Sequence, residues 1–83
     1  MNLKNVSSIV TGGASGLGAA TAATLAAAGS RVAILDVNNA LAKKTADVVG
    51  ALAIHCDVTE EGSVKNALDK TNEQNGVVRI LIN

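Results

Sequence analysis

Between Val6 and Asp36 the chain reads VSSIVTGGASGLGAATAATLAAAGSRVAILD. No other stretch limits the possible folds as much. An apolar run, Val6 to Thr11, enters a turn carrying Gly12, Gly13, Gly16 and Gly18. An alanine-rich stretch of helical character follows, from Ser15 to Ala28, and Gly29 stops it. A second apolar run, Val32 to Leu35, ends at Asp36. The order is strand, glycine turn, helix, strand, acid, which predicts a βαβ unit with its two strands parallel.

Each part suits a bound diphosphate. Gly12 permits a tight turn, because a residue without Cβ tolerates positive φ. Gly16 leaves room for a pyrophosphate to approach the backbone, and Gly18 lets the helix lie close to the strand. The first N–H groups of a helix have no partner within it, and the helix dipole adds positive potential there. Ser15 and Leu17, interleaved with these glycines, belong to the same candidate surface. No Lys or Arg lies in the turn, so backbone donors must hold the phosphates. Asp36 is placed to accept from ribose hydroxyls and to repel a 2′-phosphate, which favours NAD over NADP.

The glycine spacing is G-x-x-x-G-x-G rather than G-x-G-x-x-G. Alone it is a weak signal, since glycine turns also serve as plain connectors. The flanking strand, the helix and the spaced acid carry the nucleotide reading. A Walker phosphate loop does not fit, because no Lys-Ser or Lys-Thr pair follows the last glycine.

The run TGGASGLG at Thr11 to Gly18 resembles the cofactor signature of the short-chain dehydrogenase/reductase family. Its context is most similar to the NAD-dependent branch that contains type-2 3-hydroxyacyl-CoA dehydrogenases. The resemblance extends over essentially the whole chain. It takes in Asp36, the pair Asp57-Val58, and Asn83, where the family begins an Asn-x-Ala-Gly motif. It implies that Asp57 and Val58 contact adenine, the carboxylate accepting from the exocyclic amine. Read without the resemblance, the alternative is that Asp57 merely caps the next turn.

Eighty-three residues suffice for one small domain. A chain of this size buries only about 60% of its unfolded surface, so its core is marginal. With 48% apolar and 17% charged residues it is globular in composition. Net charge is zero and there is no aromatic residue, so it has neither basic stripe nor stacking platform for nucleic acid. Val, Ile, Leu and Ala must build the core in thin layers. Cys56 is the only cysteine, which excludes an internal disulfide and suits a small buried side chain. No secretory region or run of ~20 apolar residues is visible, so the expectation is a cytoplasmic chain without membrane contact. No metal-ligand cluster is expected.

In order along the chain, the first strand is Val6 to Thr11, with Ser7 and Ser8 where a central parallel strand should be apolar. Their hydroxyls need partners, expected among backbone carbonyls or small residues. Leu17, Thr21, Leu25 and Ala28 should form the packing face of the first helix. Arg31 to Asp36 is the second strand. Asn38 or Asn39 should cap a second helix over Ala40 to Val49, with Leu41, Thr45 and Val48 inward and Lys43, Lys44 and Asp47 outward. Gly50 ends it. Leu52 to Cys56 is the third strand, with His55 read as a packed strand residue, the alternative being a titrating group. Thr59 should cap a third helix, Glu60 to Asn75, with Val64, Ala67, Leu68 and Thr71 inward. Val77 to Ile82 is the fourth strand. Within it Arg79 stands where the resembling family usually has Asp, and before it Asn75 stands where that family often has Phe.

The expected architecture is therefore α/β: a Rossmann-type parallel sheet, βαβαβαβ, in the order 3-2-1-4. Residues 1–83 are expected to form an incomplete dinucleotide-binding half-domain. The resemblance implies hydride transfer between a nicotinamide and a carbinol or ketone carbon, with a Tyr aided by Lys, Ser and Asn. The chain has no Tyr, and its Ser and Lys residues all fall in the cofactor half, so no catalytic residue is assigned. Asn83 matches the start of the Asn-x-Ala-Gly motif, not the catalytic Asn. The chain reads as the amino-terminal half of a dehydrogenase, truncated or part of a larger protein, and unable to catalyse alone. The candidate cofactor contacts are Gly12, Ser15, Gly16, Leu17, Gly18, Asp36, Asp57, Val58 and Asn83. An open edge at Ile80 to Ile82 predicts self-association or pairing with the missing half. A second reading is a nucleotide-binding module without catalysis, and a third is a vestigial fragment that binds nothing.

Overall fold

A computed structural model describes residues 2–12 and 16–83. Gly13, Ala14 and Ser15 of the glycine turn lie outside them, Ser15 among them as a candidate contact. Seven elements alternate: β1 (Ser7–Thr11), α1 (Gly16–Ala27), β2 (Arg31–Asp36), α2 (Asn39–Val49), β3 (Leu52–His55), α3 (Glu61–Asn75) and β4 (Val78–Ile82). The strands form one parallel sheet in the order β3-β2-β1-β4, as expected.

The sheet has a core on each face. On one, Val10, Val32 and Ile34 meet Ala22 and Leu25 of α1 and Ala42 and Ala46 of α2. On the other, Ile9, Ala33, Leu35 and Ile54 meet Cys56 and Ala67 of α3. Cys56 is buried, as its size and polarity predict. The connectivity explains the split. The first two crossovers step outward from β1 and share a face, while α3 must return across β2 and β1 to reach β4.

The helices bury smaller residues than their patterns suggested. Of six buried helical positions, four are alanine: Ala22, Ala42, Ala46 and Ala67. The expected inner stripes are corrected accordingly. Leu17 is 84% exposed and Val48 81% exposed. Leu41 is exposed and Thr45 half-buried, because the Ala42–Ala46 row faces the sheet and the leucine row is rotated about 100° from it. The strands already supply Ile and Val, so small helical residues bring the layers together. In α3, Ala67 and Thr71 are buried as expected, Val64 is half-buried and Leu68 is exposed. Lys43, Lys44 and Asp47 are exposed as expected.

Helix ends follow the sequence closely. Asn38 caps α2 by accepting from Leu41 N–H at 3.0 Å. Gly50 closes the helix in the left-handed region and Gly76 closes α3. Thr59 is not the cap of α3. Glu60 occupies that position without a side-chain hydrogen bond, since the Thr59 hydroxyl is turned back to Asp57. His55 is exposed rather than packed. It ends an edge strand and faces away from the core that its neighbours Ile54 and Cys56 enter.

The two serines of β1 differ. Ser8 Oγ and Ser30 Oγ share a hydrogen bond of 2.6 Å, and Ser30 donates onward to Val6 O at 2.7 Å. Ser7 Oγ is buried without a partner among the described residues. Beside it the β1–β4 register slips: Ser7 pairs with Val78 but Ser8 with Ile80, leaving Arg79 as the extra residue. That places Arg79, a residue unsuited to the sheet interior, at the irregularity and exposed.

Candidate functional site

The carboxyl ends of β1, β2 and β3 converge on one side of the sheet. Pairing sets Thr11 beside Leu35 and Asp36 beside His55. Cys56 N–H donates to Asp36 O at 3.1 Å, carrying the ladder one step further. The loops leaving these ends therefore start side by side. A depression of about 270 Å³ opens among them, lined by Gly12, Asp36, Asp57, Val58 and Thr59, with Leu35 and Cys56 at its floor. Four candidate contacts predicted from separate stretches of sequence thus meet in one place.

Gly12 leaves β1 at φ +65°, and its N–H donates to Leu35 O at 2.8 Å. Its amide is thereby used within the sheet, so Gly12 shapes the turn and does not supply a free donor. Gly16 opens α1 at φ +58°, and among the described residues, its chain neighbours and own helix backbone aside, no atom lies within 4 Å of where a Cβ would stand. A side chain here would be strained in the backbone and would project into open space above the helix start. The first turn of α1 contains no acidic side chain, so its own residues set no carboxylate against an incoming anion.

A second depression, about 260 Å³, lies between α1 and the end of the sheet. Gly12, Leu17, Gly18 and Thr21 line one side, and Ile82 and Asn83 the other. Leu17 and Gly18 therefore stand at the helix start, and Asn83 faces them from beyond β4. Thr11 ties this end together, donating from Oγ1 to Asn83 Oδ1 at 2.7 Å and, more weakly, to Ile82 O at 3.3 Å. Thr11 was not among the expected contacts. A hydroxyl residue as the last position of an otherwise apolar strand is the signal that could have found it.

Both carboxylates are held by their own loops. Asn38 N–H donates to Asp36 Oδ1 at 3.0 Å. Thr59 donates to Asp57 Oδ1 through N–H at 3.0 Å and through Oγ1 at 2.6 Å. Asp57 N–H in turn donates to Ser63 Oγ in the first turn of α3 at 3.0 Å. The Thr59 hydroxyl, then its amide, hold the Asp57 carboxyl below the usual carboxylate range, with a smaller contribution from His55. Asp57 does cap its turn, as the plainer reading held, and it lines the depression as well. The Asx-x-donor spacing at 36–38 and 57–59 signals this arrangement in the sequence.

Among the described residues no three His, Cys, Asp or Glu side chains are grouped to hold a metal ion. Among them, too, no helix is long and apolar enough to cross a membrane.

Residues 7–83 match the family model described as short chain dehydrogenase. The chain is 42% identical over 76 residues to secoisolariciresinol dehydrogenase of Forsythia intermedia, covering 88% of this chain and 27% of that protein. It is 37% identical over 87 residues to zerumbone synthase of Zingiber zerumbet, covering 100% of this chain and 33% of that protein. The crystal structure of a hydroxysteroid dehydrogenase from Escherichia coli superposes with a TM-score of 0.94 at 32% identity, covering 99% of this chain and 36% of that one. The chain thus spans about a third or less of the length of the curated relatives it matches. With the family model covering nearly all of the sequence, the parallel 3-2-1-4 sheet and its glycine turn have a definite origin: the chain belongs to the short-chain dehydrogenase family.

Proposed function

We propose that residues 1–83 form the dinucleotide-binding half-domain of a short-chain dehydrogenase and that the cofactor is NAD. Members of this family generally use NAD or NADP. The observation that carries the reading is the convergence of Gly12, Asp36, Asp57 and Val58 on one depression at the carboxyl ends of the strands. In an open parallel sheet, ligands bind at that end, where the strand order reverses. Here the reversal lies between β1 and β4, beside the start of α1.

The residues fit the group. The open space above Gly16 admits a phosphate close to the backbone, and the amides at the start of α1, with Leu17 and Gly18 beside them, bind it, Ser15 being a further contact proposed from the sequence alone. Asp36 accepts from the ribose hydroxyls and disfavours a 2′-phosphate. Asp57 and Val58 receive the adenine. Asn83, held by Thr11, bounds the cleft from the β4 side. When bound, NAD supplies a hydride acceptor, and the whole protein's reaction is oxidation or reduction at a secondary alcohol or ketone carbon. The sequence context of the glycine signature favours 3-hydroxyacyl-CoA as substrate class, whereas the names of the relatives do not converge on one substrate. The chain contains no Tyr, so the 83 residues by themselves bind the cofactor without turnover.

The deciding experiment is a titration of the chain with NAD and NADP, followed by NMR so that weak binding is still read. Saturable binding with preference for NAD is expected. Asp36→Ala should weaken NAD binding by about tenfold, the worth of a charge-assisted hydrogen bond, and narrow the gap to NADP. Equal binding of the two cofactors by the unaltered chain would overturn the assignment of Asp36. No saturable binding of either would overturn the nucleotide reading and favour the vestigial one.

The free side of β4 supports a second proposal, self-association. β4 pairs with β1 alone among the described strands, and Leu81 is 57% exposed on it. An unpaired apolar edge recruits another strand. Light scattering across a concentration series should show mass rising above that of the monomer, and a constant monomer mass would refute this.

A further inference from the structure

The grip on Asp57 has a consequence for which base the site accepts. Two donors, Thr59 N–H and Thr59 Oγ1, fall on the same oxygen, Oδ1. Among the described residues no donor reaches Oδ2. The backbone beneath is fixed as well, since Asp57 N–H is bound to Ser63 Oγ of α3 and Asp57 O accepts from Glu60 N–H at 3.0 Å. The carboxylate can neither rotate freely nor offer both oxygens equally. Its one remaining oxygen can accept a hydrogen bond and, while the group is ionised, cannot donate one.

We propose that Thr59 is a positioning residue that makes Asp57 select an exocyclic amino group over a carbonyl, so that adenine dinucleotides are preferred to hypoxanthine ones. This rests on the nucleotide reading given above. Adenine presents an N–H donor to the free carboxylate oxygen. Hypoxanthine presents a carbonyl at the same position, and two acceptors then face each other. Without the Thr59 hydroxyl the carboxyl group turns more freely and takes up a proton more readily. Its free oxygen is then aimed less well at the amine, the bond to adenine weakens, and discrimination falls; only in acid does a protonated carboxyl also donate to the carbonyl. The lowered titration of Asp57 acts in the same sense, because it extends to lower pH the range in which the group only accepts.

The test is an NMR titration of the chain with NAD and with nicotinamide hypoxanthine dinucleotide, for the unaltered protein, Thr59→Val and Thr59→Ser. Thr59 is exposed, so both variants should keep the fold, which circular dichroism checks; Thr59→Ala serves if the valine variant does not. The unaltered chain should prefer NAD by about tenfold, one charge-assisted hydrogen bond. Thr59→Val should reduce that preference to about twofold or less by weakening NAD and not its analogue, and Thr59→Ser should restore it. As pH is lowered, Thr59→Val should lose its remaining preference at a higher pH than the unaltered chain does. A valine variant that keeps the full preference, or a serine variant that fails to restore it, would overturn the proposal. Equal binding of both dinucleotides by the unaltered chain removes the adenine role of Asp57 while leaving the dinucleotide site standing. Binding of neither removes the nucleotide reading, and this proposal with it.

Discussion

The two faces of the sheet are built from the same strands but finished differently. On the face covered by α1 and α2, two helices lay alanines against Val10, Val32 and Ile34, and the polar intruder Ser8 is bonded through Ser30 to the backbone. On the face covered by α3, one helix spans strands that two helices cover opposite. Leu68 and Leu81 remain exposed there, Ser7 keeps an unpaired hydroxyl, and a cavity of about 310 Å³ runs between Ile9, Leu35, Val64 and Leu81. The difference shows where stability resides in a chain with no aromatic side chain: in close layers of alanine over branched strands.

The sharpest way to break that contrast is to delete volume on each face. Ile34 is fully buried in the two-helix face, and Ile34→Ala should cost about 2–5 kcal/mol by lost burial and cavity formation. In so small a domain that is enough to abolish the cooperative transition in urea. Leu81→Ala, on the open face and already 57% exposed, should cost under about 1 kcal/mol by the area it still buries. Similar losses at both positions would show that the two faces are equally packed.

The serines give a smaller contrast with opposite signs. Ser7→Ala removes a buried hydroxyl that has no partner among the described residues and should raise stability by about 1 kcal/mol. Ser8→Ala removes a hydrogen-bonded one and should lower stability by about 1 kcal/mol. Urea unfolding of the pair reads both. A loss at Ser7 would mean that its hydroxyl finds a partner in solution.

Legibility in the sequence followed the same division. Strand order, element order and the helix stops at Gly50 and Gly76 could be read because they depend on local chemistry and on connectivity rules. The convergence of Gly12, Asp36 and Asp57 followed once the strands were parallel and adjacent, since each residue leaves the same end of the sheet. Which stripe faces inward could be read for most of α3 and for Leu25 of α1, but not for α2 or the rest of α1. Leucine and valine at three- and four-residue spacing formed one stripe, and alanine at four-residue spacing formed another. Sheet curvature and strand side-chain volume decide between two such stripes, and neither is local. His55 misled for a related reason: alternation along β3 is set by its neighbours, but exposure is set by its position at an edge. The clamp on Asp57 was legible as turn chemistry, whereas that on Asp36 was not read. Thr59 was assigned to the helix instead because an N-cap and an i→i−2 bond to a carboxylate compete for the same hydroxyl.

The smallest expected effect concerns that hydroxyl and the acid limb of stability. The Asp57 carboxyl is held below its ordinary value first by the Thr59 hydroxyl, then by the Thr59 amide, against a desolvation that raises it; the nearby His55 adds a smaller lowering. A group whose folded value lies below the unfolded one, about 3.9 for Asp, contributes its stabilisation above that pH. The contribution is lost as pH falls through the folded value, where protonation at the free Oδ2 leaves the two Thr59 donors facing a neutral and weaker acceptor. Following the Asp57 side-chain carbon by NMR should place its midpoint below the usual carboxylate range, and Thr59→Val should raise it, leaving the amide alone to oppose protonation. Thermal unfolding measured downward from pH 5 should then show the valine variant shedding this contribution at a higher pH than the parent. If the two midpoints coincide, the 2.6 Å contact does not persist in solution, and the carboxylate is free to turn toward solvent.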